Sequence, residues 1–112
     1  MLLDRKEVLN EDGSIGYIES IFNSGNMMKT TYFPVGHKLY IAFNRGHTYS
    51  YENISPEFYQ SFEDADSQGV FFTKNINKNT KYPARKEFTL YPQEVKAIKE
   101  EINIIKENLE DE

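Results

Sequence analysis

Hydrophobic and polar positions alternate over KLYIAF, with Leu39, Ile41 and Phe43 on one side and Tyr40 and Ala42 on the other. A period of two is the pattern of a half-buried strand. Asn44, Arg45 and Gly46 follow as turn residues, Gly46 being free to take a positive φ. The alternation resumes in HTYSYEN, so the two runs predict a β-hairpin. A three-residue loop sets Phe43 opposite His47, Ile41 opposite Tyr49 and Leu39 opposite Tyr51, which puts both tyrosines on the apolar face. A two-residue loop instead sets Ala42 opposite Tyr49 and Tyr40 opposite Tyr51. The register therefore decides whether the tyrosines look at the core.

The helical period begins after the hairpin. Ser55 is a good N-cap, Pro56 suits the first helical position, and Ile54 with Tyr59 can form a hydrophobic staple. Phe58, Phe62 and Ala65 recur at helical spacing and Gly69 is placed for a left-handed cap, so the pattern predicts a helix from about Pro56 to Ser67. Upstream, IGYIESIF (Ile15 to Phe22) and MMKTTYFP (Met27 to Pro34) are β-rich runs separated by the turn composition NSGN. Downstream, GVFFTKNINKNTKYPARKEFTLYP opens with an aromatic step, turns polar and basic, and recovers a strand-like run at Glu87 to Leu90. Pro92 then opens a second helix in which Val95, Ile98, Ile102, Ile105 and Leu109 follow a 3-4-3-4 spacing. That seam is short for an autonomous coiled coil, so it is expected either to dock on the chain's own sheet or to meet a partner. The partner would be another protein's helix or a second copy, a homodimer being the commonest closed assembly. The fold class is α+β: a small antiparallel sheet with a hairpin and one helix packed on it, plus a C-terminal helix. Three segments result: an N-terminal extension with a strand (1–23), the α+β domain (24–91) and an amphipathic helix (92–112).

Composition narrows the chemistry. The 112 residues make room for one domain, and the absence of cysteine excludes disulfides and thiolate metal sites. His37 and His47 fall at opposite ends of the hairpin, roughly 20 Å apart at ~3.3 Å per residue, too far to share a metal. No phosphate loop, zinc spacing or nucleophile elbow occurs, so neither a catalytic site nor a cofactor is expected. Glu63, Asp64 and Asp66 read as a solvated acidic face, and Ser67 as a helix-end capping residue. Asp4, Arg5, Lys6 and Glu7 directly follow the first leucines, which is unlike a signal peptide, and no apolar run is long enough to span a membrane. The expectation is a soluble, cytoplasmic protein without membrane contact.

The net charge of −5 hides a segregation along the chain. Glu52 to Asp66 holds five acids and no base, whereas Ser67 to Lys86 holds five bases and no acid. Tyr49, Tyr51 and Phe72 beside Lys74, Asn75, Lys78, Lys81 and Arg85 would combine stacking surfaces with a cationic path. RNA or single-stranded DNA requires that combination. The competing reading is structural, because eight tyrosines and eight phenylalanines without tryptophan must fill much of a small interior. Binding through the C-terminal seam is the alternative, as a protein–protein interaction or inhibitor protein.

GHTYSYENISPEFYQSFEDADSQGVFFTKNI, Gly46 to Ile76, resembles the KTSC domain, a module named for its occurrence at the C-terminus of some lysyl-tRNA synthetases. The resemblance rests on Tyr49-x-Tyr51, Pro56 at the helix start, Ala65-x-Ser67-x-Gly69, and Phe72 followed by Asn75 and Ile76. SGNMMKTTYF and KLYIAF match in position, extending it over about Ser24 to Tyr82. Asn77, where a basic residue is common, departs from the pattern, and both terminal extensions lie outside it. The resemblance implies a non-catalytic module found in bacteria and their phages, located in the bacterial or infected cell. Through the synthetase association it also implies RNA as a ligand.

Overall fold

A computed structural model describes residues 1–110; Asp111 and Glu112, the end of the predicted C-terminal helix, lie outside the described residues. Six strands, β1 (Leu2–Leu9), β2 (Ile15–Phe22), β3 (Met27–Phe33), β4 (Lys38–Phe43), β5 (His47–Tyr51) and β6 (Ala84–Thr89), form one sheet. Their spatial order is their sequence order, and each pair of neighbours is antiparallel. Between β5 and β6 come α1 (Pro56–Asp64) and α2 (Gln68–Asn75), and α3 (Pro92–Glu110) follows β6. The fold is thus α+β, and the N-terminal extension is two strands of the same sheet.

The hairpin takes the three-residue loop. Leu39 pairs with Tyr51 and Ile41 with Tyr49, and the Gly46 N–H donates to the Phe43 carbonyl at 2.8 Å. Gly46 has φ 92, and a Cβ there would come within 2.9 Å of Val95 on α3, so both turn and helix packing require glycine. Both tyrosines consequently share the face that carries Leu39 and Ile41.

That face is the core. Ile18, Phe22, Met27, Tyr32, Leu39, Ile41 and Tyr51 of the strands are buried against Ile54, Tyr59, Phe62, Phe72 and Ile76. Burial of each such side chain is worth about 1.5–3 kcal/mol, so this layer dominates the stability. The rings interlock: Tyr32 stacks on Tyr59 at 4.3 Å between centroids, and Phe22 meets Phe62 edge-on at 5.6 Å. The Ser55 hydroxyl accepts from the Phe58 N–H at 3.1 Å, and the Tyr32 hydroxyl donates to the Ile54 carbonyl at 2.7 Å. The N-terminal cap and the staple are as the sequence implies.

The end of that helix is not. Ala65 is extended (ψ 144), which stops α1, and Ser67 caps a second helix by accepting from the Val70 N–H at 3.2 Å. The stretch from Gly69 onward, expected to leave the helix with an aromatic step, is therefore helical. Gly69 serves close approach instead of a left-handed cap, since a Cβ there would meet the Asn26 side chain at 2.9 Å. Gln68 is fully buried, and its amide donates to the Ala65 carbonyl at 2.9 Å, satisfying the end of α1. The last strand also starts earlier than its apolar run, at Ala84.

The second face of the sheet carries Glu19, Ile21, Lys29, Thr31, Tyr40, Ala42, Thr48 and Ser50, alternating with the core-facing residues, and of these Ile21, Ala42, Thr48 and Ser50 are also buried. Helix α3 lies over its Gly46 end. Ala97 and Ile98 stand over Ala42, Thr48 and Phe88, and Ile102 over Met28. The opposite end of this face, at the β3–β4 turn, lies outside the residues that α3 lines.

Candidate functional site

Burial removes two of the expected ligand-facing rings. Tyr51 is 4 % exposed and Phe72 7 %, and they pack edge-on at 5.5 Å. Burial pushes the Tyr51 hydroxyl up to about 12. These residues hold α2 on the sheet, and the stacking surface read from them is corrected on that ground. Tyr49 is half-buried against Phe43, across the ladder from Lys86.

The cations, by contrast, are all exposed. Lys74 lies in the last turn of α2, where the Asn75 amide donates back to the Phe71 carbonyl at 3.1 Å. Lys78, at φ 59, and Lys81 lie in the loop before β6, and the Lys81 carbonyl accepts from the Asn53 amide at 3.1 Å. That bond ties the loop to the end of the sheet where β5 stops at Tyr51 opposite Ala84. Lys38 begins β4 at this same end, because Leu39 pairs with Tyr51. Among the described residues, the ion pairs involve only Arg5 and Lys29 as cations, so Lys38, Lys74, Lys78, Lys81, Arg85 and Lys86 have no carboxylate partner.

The C-terminal seam is engaged within the chain. Val95, Ile98, Ile102 and Ile105 are half-buried, with Val95 against the Gly46 turn and Ile98 and Ile102 over the sheet. Leu109 remains 47 % exposed. The seam expected to serve either the sheet or a partner thus covers the second face. A cleft of about 330 Å³ stays open beneath the first half of α3, between Lys29, Tyr40, Thr48, Phe88, Glu94 and Ile98.

Glu63 overturns the expectation of a solvated acidic face. It is 2 % exposed, and its Oε1 pairs with Arg5 Nε at 2.7 Å, while Oε2 is buried without a hydrogen-bond partner among the described residues. Burial raises its pKa above the ordinary carboxylate value, with Arg5 opposing. Beside it the Tyr59 hydroxyl, pushed up to about 12 by burial, lies 3.0 Å from the Ser20 hydroxyl and 3.4 Å from that of Thr30. Arg5 pairs with Ser20, and Ser20 with Thr30, so one polar row crosses three strands beneath α1. The available signal was Glu63's position four residues after Tyr59, on the same helix face.

Residues 23–82 match the family profile of the KTSC domain, more than half of the 112 residues. The chain belongs to the KTSC domain family. The crystal structure of a KTSC domain protein from Yersinia pestis is similar, with a TM-score of 0.57 at 28 % identity, covering 62 % of this chain and 96 % of that one. No curated protein matches the chain. The matched span contains β3, β4, β5, α1 and α2, while β1, β2, β6 and α3 lie outside it, widening the sheet on both edges and lying over its second face. Arg5 and Ser20 come from the strands outside the matched span, whereas Tyr59, Glu63 and Thr30 belong to it. Among the described residues no cluster of three His, Asp or Glu side chains could hold a metal ion, and no helix is long and apolar enough to cross a membrane.

Proposed function

We propose that this KTSC protein is a non-catalytic binding module for single-stranded nucleic acid, with RNA the favoured ligand. The observation that supports it is the concentration of unpaired cations at one end of the sheet, where Lys38, Lys81 and Arg85 converge with Lys78 in the adjoining loop. Four cations with no carboxylate partner, three of them exposed and Lys38 half-buried, suit a run of phosphates. They also give local attraction to a chain whose overall net charge is −5.

The test is fluorescence anisotropy with labelled oligouridylate and single-stranded DNA at several salt concentrations. Replacing Lys78, Lys81 and Arg85 with glutamine should weaken binding. It should also flatten the salt dependence by about 0.7 of log–log slope per lost phosphate contact. Absence of wild-type binding to any oligonucleotide at low salt rejects the reading.

A further inference from the structure

The end of the second face beyond α3 carries rings on three adjacent strands, Tyr40 standing at its border with the α3 cleft. Tyr17 follows Gly16 on β2, Phe33 ends β3, and Tyr40 lies on β4. Their chain neighbours Ile18, Tyr32, Leu39 and Ile41 point into the core, so these three point the other way. Tyr17 and Phe33 have centroids 5.6 Å apart, and Phe33 and Tyr40 5.7 Å, which makes a continuous file of rings across the sheet. Phe33 is 36 % exposed and both tyrosines are half-buried. Val35, 88 % exposed, stands in the turn beside them, where a shallow depression runs between Phe33, Gly36, Lys38 and Tyr40.

Cations flank the file at both of its ends. Lys38 holds its ammonium 5.4 Å from the Tyr40 ring centre. Tyr40 pairs with Ser50, and Ser50 with Arg85, so the guanidinium begins the far end of the same cross-strand row. Lys6 stands at the near end, opposite Glu19. Of the carboxylates nearby, Glu19 pairs with Lys29 at 3.4 Å and Glu87 accepts from the Ser50 hydroxyl at 2.7 Å, while Glu52, one residue past β5, and Glu11 in the β1–β2 turn are exposed and make no ion pair among the described residues.

We infer that Tyr17, Phe33 and Tyr40 form a base-stacking platform on which about two to three successive unpaired bases of a single strand lie. Lys38, Arg85 and Lys6 hold the flanking phosphates. The inference rests on the nucleic-acid reading above and moves the rings from the first face to the second. Partly exposed rings on neighbouring strands, tilted by 41° and 73° to one another, offer both edges and faces to bases, and only a strand whose bases are not already paired and stacked can use them. A duplex would present phosphates alone, which the cations serve without the rings. The sheet is rigid, so the rings are held in place before the ligand arrives.

The experiment compares the wild type, Phe33→Ala, Tyr40→Leu, and the double variant Lys38→Gln/Arg85→Gln on labelled oligouridylate, an abasic oligonucleotide of equal length, and a duplex. Loss of one ring should weaken binding to the base-bearing single strand roughly 5- to 150-fold with the salt slope unchanged. The cation variant should instead flatten the slope. Phe33→Trp should bind as the wild type does and, in a chain without tryptophan, give a single indole, excited apart from the eight tyrosines, that the oligonucleotide quenches. Because this substitution keeps an aromatic ring at a partly exposed position, it keeps the test valid should Phe33→Ala unfold. Ring variants that bind as the wild type while cation variants weaken would overturn the platform and leave the charge reading standing. Equal affinity for abasic and base-bearing strands would do the same. A wild type that binds no oligonucleotide overturns both, including the case in which the rings capture a protein instead.

Discussion

The two faces of the sheet are built from the same strands, yet one is closed and the other is not. Under α1 and α2 every strand from β2 to β5 contributes a buried residue to a layer of interlocked rings. Over the second face, α3 is the longest helix of the chain but has no buried residue. The short helices close their face because they bring large aromatic side chains at two crossing points. The long helix brings single aliphatic residues along a narrow stripe. Helix length does not set burial; the volume delivered per turn does. An incompletely covered face is also where a binding surface has room.

The sharpest way to break this contrast is through the closed face. Phe62→Ala should cost about 3–5 kcal/mol, read as a lower denaturant midpoint, because Phe62 is 1 % exposed and touches Phe22, Tyr59 and Phe71. Next comes the polar row. Arg5→Met leaves Glu63 charged and unpaired in the core and should cost about 2–3 kcal/mol. That is below the full value for a buried pair, because the Arg5 side chain is 31 % exposed. Adding Glu63→Leu to Arg5→Met should recover much of the loss, since both charges are then gone.

On the second face, Ile102→Ala should cost only about 1–2 kcal/mol, as befits a half-buried isoleucine. The sedimentation of Ile102→Asp sharpens the comparison further. A seam held within the chain predicts a lower melting temperature at unchanged mass, whereas a drop in mass would place the seam in an assembly.

The smallest effect is a pH dependence confined to the closed face. The folded state raises the pKa of Glu63, so the cost of its buried charge is full above that raised pKa. It fades as the pH falls through it, and is gone below the ordinary value of 4.5. Glu63→Gln lacks that titration. Its stability relative to the wild type should therefore be highest near neutral pH and fall as the solution is acidified, as paired denaturation curves across that range would show.

The polar row and the open face were illegible in the sequence for different reasons. Leu2 to Leu9 has four consecutive charged residues, which blur the period of two, as edge strands often do. Without that strand no partner for Glu63 can be named. Tyr17, Phe33 and Tyr40 come from three separate runs and meet only once the register is fixed. Local pattern could mark each as outward-facing, but not as neighbours.

The hairpin, its three-residue option, the α1 cap and staple, and the apolar row of β4 follow from the sequence alone, because each depends on residues a few positions apart. The KTSC resemblance was legible for the same reason, being carried by short motifs in order. Tertiary structure decided the rest. It chose the register that buries Tyr51, turned Ser67 from a helix end into a helix start, and used Gly69 for close approach to Asn26. It also set the α3 seam against the chain's own sheet. Each of these outcomes compares two arrangements of nearly equal local energy. The balance is tipped by side chains distant in sequence, such as Phe72 for Tyr51 and Arg5 for Glu63.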